Sequence, residues 1–166
     1  MSWYKQLYRL QFITRYSNVP RVRDENVAQH SFFVASLCLE IMEGLDYSKF
    51  NKAKVLTMAI THDWAEADID DIAHDVKRDF PTVKKALKVA ERKAMSKYPK
   101  NIQDVFQEYD ENDTYESAIV QLADTLQCVQ YLESEVNLGN RYMEDMLTES
   151  RNYLPQLEAK ILEIRI

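Results

Sequence analysis

Hydrophobic residues recur along most of the chain at the three- and four-residue intervals of amphipathic helices. The acidic segment from Asp68 to Asp75 has no sustained stripe of this kind, so we expect it to form a loop. The stretches that carry the stripe, each predicted to be helical, run from the first residues to about Thr14, Asn26 to Leu45, Phe50 to Ala67, Pro81 to Lys97, Ile102 to Tyr109, Thr114 to Asn137, and Asn140 toward Ile166.

Composition favours the same fold class. The 166 residues include only 2 glycines and 4 prolines, whereas a turn-rich all-β protein needs turn residues every ten or so positions. The 46% of hydrophobic residues suits one hydrophobic core and leaves little room for a second domain. We therefore predict an all-α protein, a single compact helical-bundle domain over residues 1–166, with about six or seven helices.

The charge balance narrows the classes of partner. A net charge of −6 argues against a nucleic-acid binder, and the basic stretch from Lys77 to Lys97 is interleaved with apolar residues like a solvated helix face. A small phosphate ester could still bind through a few local cations. No run of about 18 apolar residues predicts a membrane span. The start, Met1 to Lys5, lacks the pattern of a signal peptide, so the expected location is the cytoplasm.

The two cysteines, Cys38 and Cys128, lie inside apolar helical patterns. Buried free thiols usually occupy such positions. The chain has no CxxC pair, so we expect neither a disulfide framework nor a thiolate zinc site.

Ionisable residues interrupt three of the predicted core helices. His30 follows Val27-Ala28-Gln29, the pair His62-Asp63 follows an apolar run, and Asp124 lies between Ala123 and Thr125. Such groups are costly inside an apolar helix unless they are hydrogen-bonded, paired or bound to a metal. Singly, each is more often an ordinary hydrogen-bonded core residue than a ligand. Their joint occurrence in a chain with only 3 histidines favours a metal site.

The predicted ligands are His30, His62, Asp63 and Asp124. Two imidazoles and two carboxylates suit one divalent ion, such as Mn, Co, Fe, Ni, Zn or Mg. Four protein ligands on an octahedral ion leave two positions for water or a phosphate oxygen, which hydrolysis requires. Glu66 lies one helical turn after His62, where it could orient a water for attack, although a solvent-exposed glutamate is the alternative.

These residues resemble a known family. The order His30, His62-Asp63, Asp124 is similar to the H…HD…D pattern of the HD-domain phosphohydrolases. Arg15-Tyr16, followed by Arg23-Asp24-Glu25-Asn26-Val27-Ala28-Gln29-His30-Ser31 and by HDxxE, resembles the 5'-deoxynucleotidase branch. The resemblance covers roughly residues 4 to 135, and it implies a compact HD-domain helical bundle.

The resemblance also implies roles for matching residues. Arg15 would bind the substrate phosphate, which suits a guanidinium. Glu66 would act on the nucleophilic water. Asp71 would contact the substrate and protonate the leaving oxygen, and Lys77 is a further candidate for the phosphate. Each could instead be an ordinary surface or loop charge.

Two departures from the family pattern concern the substrate. The aromatic residue beside the arginine, which packs on the sugar and helps exclude the 2'-hydroxyl, is usually tryptophan, whereas this chain has Tyr16. The family's Asp-Leu-Pro is replaced by Asp71-Ile72-Ala73. His74 matches no family role and is interpreted as a loop histidine. These differences affect sugar and base selectivity rather than hydrolysis.

The function implied is metal-dependent hydrolysis of a deoxyribonucleoside 5'-monophosphate to deoxyribonucleoside and phosphate. One rival is a triphosphohydrolase similar to compact phage enzymes that remove dATP. A second, hydrolysis of the alarmone ppGpp, is disfavoured because those enzymes usually carry HDxxED and Ala67 follows Glu66 here. A third is a non-catalytic helical module with a structural metal. The resemblance also implies a homodimer or higher homo-oligomer.

Overall fold

The computed structural model describes residues 3–165, and its secondary structure is helical. Over this range there is no β-sheet, only two isolated bridges, Thr14 with Asn26 and Leu45 with Arg165. The predicted all-α class is therefore confirmed. The helices are α1 (Tyr4–Leu7), α2 (Val27–Met42), α3 (Lys52–Thr61), α4 (Glu66–Ile69), α5 (His74–Asp79), α6 (Pro81–Met95), α7 (Lys100–Glu111), α8 (Tyr115–Asn137) and α9 (Glu144–Leu162), with 3₁₀ turns at Tyr8–Phe12 and Arg141–Met143.

Side-chain caps and a proline explain where the long helices begin. Asn26 accepts from the backbone N–H of Gln29, whose side chain returns the bond, and these two bonds form a capping box at the start of α2. Thr114 and Ser117 do the same for α8. Pro81 is the first residue of α6, where its missing N–H costs nothing.

Two predicted boundaries are wrong. The first helix is short and tightens into the 3₁₀ turn Tyr8–Phe12 instead of continuing to Thr14. The helix expected from Phe50 to Ala67 ends at Thr61. The next residues form turns whose hydrogen bonds span three residues instead of four, such as Trp64 N–H to Thr61 C=O at 3.1 Å.

The acidic segment predicted as a loop is also more ordered than expected. Its start belongs to α4, residues 70–73 form the connection, and α5 already begins at His74. The last helix ends at Leu162, and Ile166 lies outside the described residues.

Helix α8 forms the centre of the fold, and α2, α3 and α9 pack against it. Apolar side chains from all four helices make the main core, with Val34, Met58, Ile119, Ala123 and Leu157 almost fully buried. Since the predicted ligands lie on α2, on α8 and at the end of α3, this packing brings those three places together.

A second apolar cluster joins the N-terminal segment to α4, α6 and α7. In it Trp3 lies 5.3 Å from Trp64 between ring centroids, and Trp64 lies 5.1 Å from Tyr98. This cluster holds the turn after α3 in place. Over residues 3–165, no helix has the combination of length and apolarity that crossing a membrane would take.

Candidate active site

Side chains from α2, from α8 and from the turn after α3 meet around His30 and His62. The His30 Nε2 atom lies 3.2 Å from Asp124 Oδ1, 3.3 Å from His62 Nε2 and 3.5 Å from Asp63 Oδ2. The His62 Nε2 atom lies 3.2 Å from Asp63 Oδ2. Both histidine side chains are 1% exposed, whereas Asp63 and Asp124 retain 21% and 27%. His30, His62 and Asp124 therefore lie close enough to share one cation, and Asp63 contacts both histidines. We call these four side chains the ligand cluster.

The charges of this ligand cluster suit a cation. Burial alone would lower the pKa of His62, but Asp63 and Asp124 raise it to about 9. Burial would raise the pKa of Asp63, yet the neighbouring His62 and His30 charges lower it to about 2. The pKa of Asp124 is also held well below its usual range, against burial, by its bond with His30. The carboxylates therefore stay ionised and attract positive charge to this point.

Outer hydrogen bonds orient the ligands. The Nδ1 atom of His62 lies 2.8 Å from the Ala59 carbonyl, and the Tyr109 hydroxyl donates to Asp124 Oδ2 at 2.8 Å. An imidazole that donates through Nδ1 keeps the lone pair of Nε2 free for a metal. A set of two imidazole nitrogens and two carboxylate oxygens therefore fits a borderline or hard divalent ion.

Glu66 is the first residue of α4, one turn beyond His62. Its Oε2 atom is buried and has no hydrogen-bond partner within the described part of the chain. Burial, together with the charges of Asp63 and Asp71, raises the pKa of Glu66 well above its usual range. A buried carboxyl oxygen without a partner beside the ligand cluster can hold a water, and the raised pKa makes Glu66 a stronger base whenever it is ionised.

Arg15 lies near the start of the connection between the 3₁₀ turn Tyr8–Phe12 and α2. Its backbone N–H donates to the Glu25 carbonyl at 2.9 Å, which closes the connection. Its guanidinium donates to Glu25 Oε2 at 3.0 Å, Gln127 Oε1 at 3.1 Å and Cys128 Sγ at 3.3 Å. The Arg15 side chain is only 13% exposed, so this cation is fixed in place beside Asp124.

A cavity of about 910 Å³ opens beside the ligand cluster. The predicted residues Tyr16, Asp71, Lys77 and Asp124 all line it. Burial raises the pKa of Asp71 even though Arg15 opposes the shift. Another wall of the cavity comes from α9 and the 3₁₀ turn before it, with Tyr142, Asp145, Met146, Glu149, Ser150, Asn152, Tyr153 and Gln156.

Tyr16 forms part of this wall in an unusual backbone conformation. Its φ is +55°, in the left-handed region that a non-glycine residue seldom adopts. Its ring stacks on Tyr131 at 5.1 Å with an interplanar angle of 5°, and the Arg15 guanidinium carbon lies 5.2 Å from its centroid. Both contacts hold the ring against the cavity.

Two residues differ from their predicted settings. His74 begins α5 and lines the cavity, so it is not a loop histidine, and it lies outside the ligand cluster. Cys38 is buried and free as predicted, but Cys128, also free, is only partly buried and faces the cavity beside Arg15.

Sequence reasoning missed three side chains that surround the cluster: Glu25, Tyr109 and Gln127. Gln127 lies three residues after Asp124 on the same face of α8, a spacing that could have suggested a shared site. Glu25 belongs to the segment that carries the family resemblance, but a role was not assigned to it. Tyr109 lies on α7 and gives no local signal.

Solved structures share the helical fold of this chain. A Pyrococcus horikoshii protein is 27% identical, with a TM-score of 0.80 over 96% of this chain and 92% of its own. An HD phosphohydrolase of cyanophage S-2L, described as bound to dA and one catalytic Zn²⁺ ion, has a TM-score of 0.65 at 17% identity, with 98% of each chain covered. These likenesses show that the chain shares its all-α fold with both proteins.

The family match defines the class of protein, a metal-dependent phosphohydrolase. The chain belongs to the YfbR-like 5'-deoxynucleotidase family, whose model it matches over residues 2–165. A Vibrio cholerae relative named 5'-deoxynucleotidase is 25% identical over 98% of this chain and 97% of its own length. The expected family is thus confirmed.

Proposed function

We propose that this protein hydrolyses deoxyribonucleoside 5'-monophosphates to deoxyribonucleosides and inorganic phosphate with one divalent metal ion. The observation that carries the proposal is the meeting of His30, His62, Asp63 and Asp124 beside the unpartnered carboxylate oxygen of Glu66. The names of the relatives supply the substrate class.

His30, His62, Asp63 and Asp124 would hold the metal. When bound, a divalent ion lowers the pKa of water and polarises a phosphoryl oxygen. Mn, Co, Fe, Ni, Zn and Mg all suit this donor set, and its two nitrogen ligands favour the transition metals over Mg.

Glu66 and Asp71 divide the proton transfers between them. Glu66 takes a proton from the attacking water through its free Oε2 atom, as the new P–O bond forms. The P–O5' bond breaks, and Asp71 gives its proton to the O5' atom of the leaving nucleoside. The raised pKa of Asp71 suits this acid role.

The remaining residues would bind the substrate. Arg15, which Glu25 and Gln127 hold through hydrogen bonds, would bind phosphate oxygens. Lys77 would add a second cation from α5. The stacked ring of Tyr16 would pack on the deoxyribose and crowd a 2'-hydroxyl.

The test is phosphate release from a panel of deoxy- and ribonucleoside mono- and triphosphates with Mn²⁺ or Co²⁺, repeated with EDTA. We expect chelator-sensitive release of phosphate from deoxyribonucleoside monophosphates. Release of triphosphate from dATP would instead support the triphosphohydrolase. The absence of chelator-sensitive turnover on every nucleotide would leave a non-catalytic module and contradict the proposal.

Three further expectations belong to this proposal: a single domain over residues 1–166, a cytoplasmic location and a homodimer. Exposed aromatic side chains support the last of these, since Phe12 is 72% exposed, Phe32 66% and Phe33 51%. Light scattering of the purified protein checks it, and a strictly monomeric mass at micromolar concentration would contradict it.

A further inference from the structure

Four side chains form a closed hydrogen-bond network behind the ligand cluster: Arg15, Glu25, His30 and Gln127. Gln127 Oε1 lies 2.6 Å from His30 Nδ1 and 3.1 Å from Arg15 Nη1, and Gln127 Nε2 donates to Glu25 Oε1 at 2.5 Å. Glu25 Oε2 accepts from Arg15 at 3.0 Å. Gln127 is 4% exposed, so water does not compete for these bonds.

Two neighbours of His30 favour opposite positions of its proton. Gln127 Oε1 can only accept, so it favours a proton on Nδ1 and leaves the lone pair on Nε2. Arg15 Nη1 lies 2.5 Å from the same Nδ1 atom and can only donate, so alone it would favour the proton on Nε2. A metal at the ligand cluster needs the Nε2 lone pair, because Nε2 is the atom that faces Asp124.

The other acceptors around Arg15 decide this conflict. Its guanidinium already donates to Glu25 Oε2, Gln127 Oε1 and Cys128 Sγ, so it does not depend on the imidazole lone pair. Among residues 3–165, Gln127 Oε1 is the one hydrogen-bond acceptor next to His30 Nδ1. Without it, Arg15 would be the sole polar neighbour of Nδ1.

We propose that Gln127 is a positioning residue that sets His30 in its metal-binding tautomer and at the same time holds Arg15 for the substrate phosphate. The inference rests on the proposed function and deepens it. Through one amide, the metal side and the phosphate side of the site are joined, because the oxygen serves His30 and Arg15 and the nitrogen orients Glu25.

Gln127→Met removes the amide while keeping the size of the side chain. We expect the affinity for Co²⁺, measured with a competing chelator, to fall about 10- to 100-fold, as for other outer partners of ligating histidines. With saturating metal, the KM for a deoxyribonucleoside monophosphate should rise more than kcat falls, because Arg15 loses an acceptor. The unfolding temperature of the metal-free variant reports whether it folds, and the shorter Gln127→Asn gives a second reading if it does not.

Two further variants separate positioning from plain structural support. Gln127→Glu keeps an acceptor for His30 Nδ1 but sets a carboxylate against Glu25, so it is combined with Glu25→Gln, which restores the amide donor. The Co²⁺ affinity of this double variant should return to about the wild-type level. Gln103→Met removes an amide that donates to the Tyr98 carbonyl at 2.8 Å, outside the network, and should leave Co²⁺ affinity unchanged.

The outcomes distinguish this inference from the proposed function. A wild-type protein that binds no Co²⁺ would contradict both. A wild-type protein that binds Co²⁺ and turns over, with Gln127→Met and Gln127→Asn binding the ion equally well, would overturn the role of Gln127 alone. Loss of affinity in the Glu25→Gln, Gln127→Glu double variant equal to that in Gln127→Met would also overturn it, since the acceptor would then be irrelevant.

Discussion

Two connections flank the candidate site, and they are fastened in different ways. The connection before α2 carries Arg15 and Tyr16 and is fixed by buried groups. Glu135, fully buried on α8, accepts from the backbone N–H groups of Val22 at 2.7 Å and Arg23 at 2.8 Å. The connection between α4 and α6 carries Asp71 and Lys77. An ion pair between Arg78 and Glu149, at 3.0 Å, joins this second connection to α9, and both of its side chains are about half exposed.

The difference indicates where the site is preorganised. Buried hydrogen bonds to a carboxylate are costly to break, whereas an exposed ion pair contributes little. The ligand cluster and Arg15 are therefore held before substrate arrives. Because the ion pair between Arg78 and α9 is exposed, we expect residues 70–80 to adjust more readily than the first connection when a substrate binds.

The largest expected effect concerns the preorganised side. Glu66→Gln should lower kcat by about 10²- to 10⁴-fold, because the acceptor for the water proton is lost. Metal content, measured by elemental analysis, should not change since Glu66 is not a ligand. Glu111→Gln, at the exposed end of α7, is the control. Full turnover in Glu66→Gln would show that the assigned mechanism is wrong.

The next largest effect is expected from Glu135, whose hydrogen bonds hold the connection before α2. Glu135→Gln should lower the free energy of unfolding by about 1–3 kcal/mol near neutral pH, because the amide presents a donor to backbone N–H groups. Urea unfolding measures this. The control is Glu133→Gln, on the same helix as Glu135. It removes an exposed ion pair with Arg151 of α9 at 2.7 Å and should lower the free energy of unfolding by less than about 1 kcal/mol.

The effect of Glu135 should depend on pH. Burial opposes ionisation, but bonds from the Val22 N–H, the Asn140 amide and the Arg23 N–H lower the pKa of Glu135 below its ordinary value of 4.5. A lowered folded-state pKa stabilises the fold above 4.5, and this stability is lost as the pH falls through the folded value. The difference between wild type and Glu135→Gln should therefore shrink in acid, and a constant difference would contradict this account.

On the adjustable side, Lys77→Met should raise the KM for a deoxyribonucleoside monophosphate about tenfold and change kcat little, because one charged phosphate contact is lost. Lys84→Met, on the exposed face of α6, is a matched control outside the cavity lining. An unchanged KM in Lys77→Met would remove Lys77 from the substrate site.

The smallest effect is expected from the ion pair to α9. Arg78→Met should change the free energy of unfolding by less than about 1 kcal/mol and the KM by less than about twofold. Thermal unfolding and steady-state kinetics check both. A large rise in KM would show that residues 70–80 are held as firmly as the first connection, which would remove the contrast between them.

Most long helices could be predicted because their signals are local. Asn26, Pro81 and Thr114 mark helix starts in the sequence, and the structure begins α2, α6 and α8 at the next residue or at the proline itself. The end of α3 could not be predicted, since the apolar pattern continues past Thr61 while the hydrogen bonds tighten into turns.

The site residues also divide into those that the sequence indicated and those that it did not. Polar residues inside apolar helices indicated the ligand cluster without any structure. Gln127 and Glu25 gave weaker signals and Tyr109 gave none, because their contacts depend on which helices become neighbours. Tyr109 reaches Asp124 only after α7 has packed against α8.

The aromatic cluster at the N-terminal segment has a spectroscopic consequence. The chain has 2 tryptophans, Trp3 and Trp64, whose ring centroids lie 5.3 Å apart, and Trp64 directly follows Asp63, one of the predicted ligands. All indole emission therefore originates from one place. A change in its intensity or wavelength senses the docking of the first residues and the turn that carries His62 and Asp63, and it is blind to motion of α9 across the cavity.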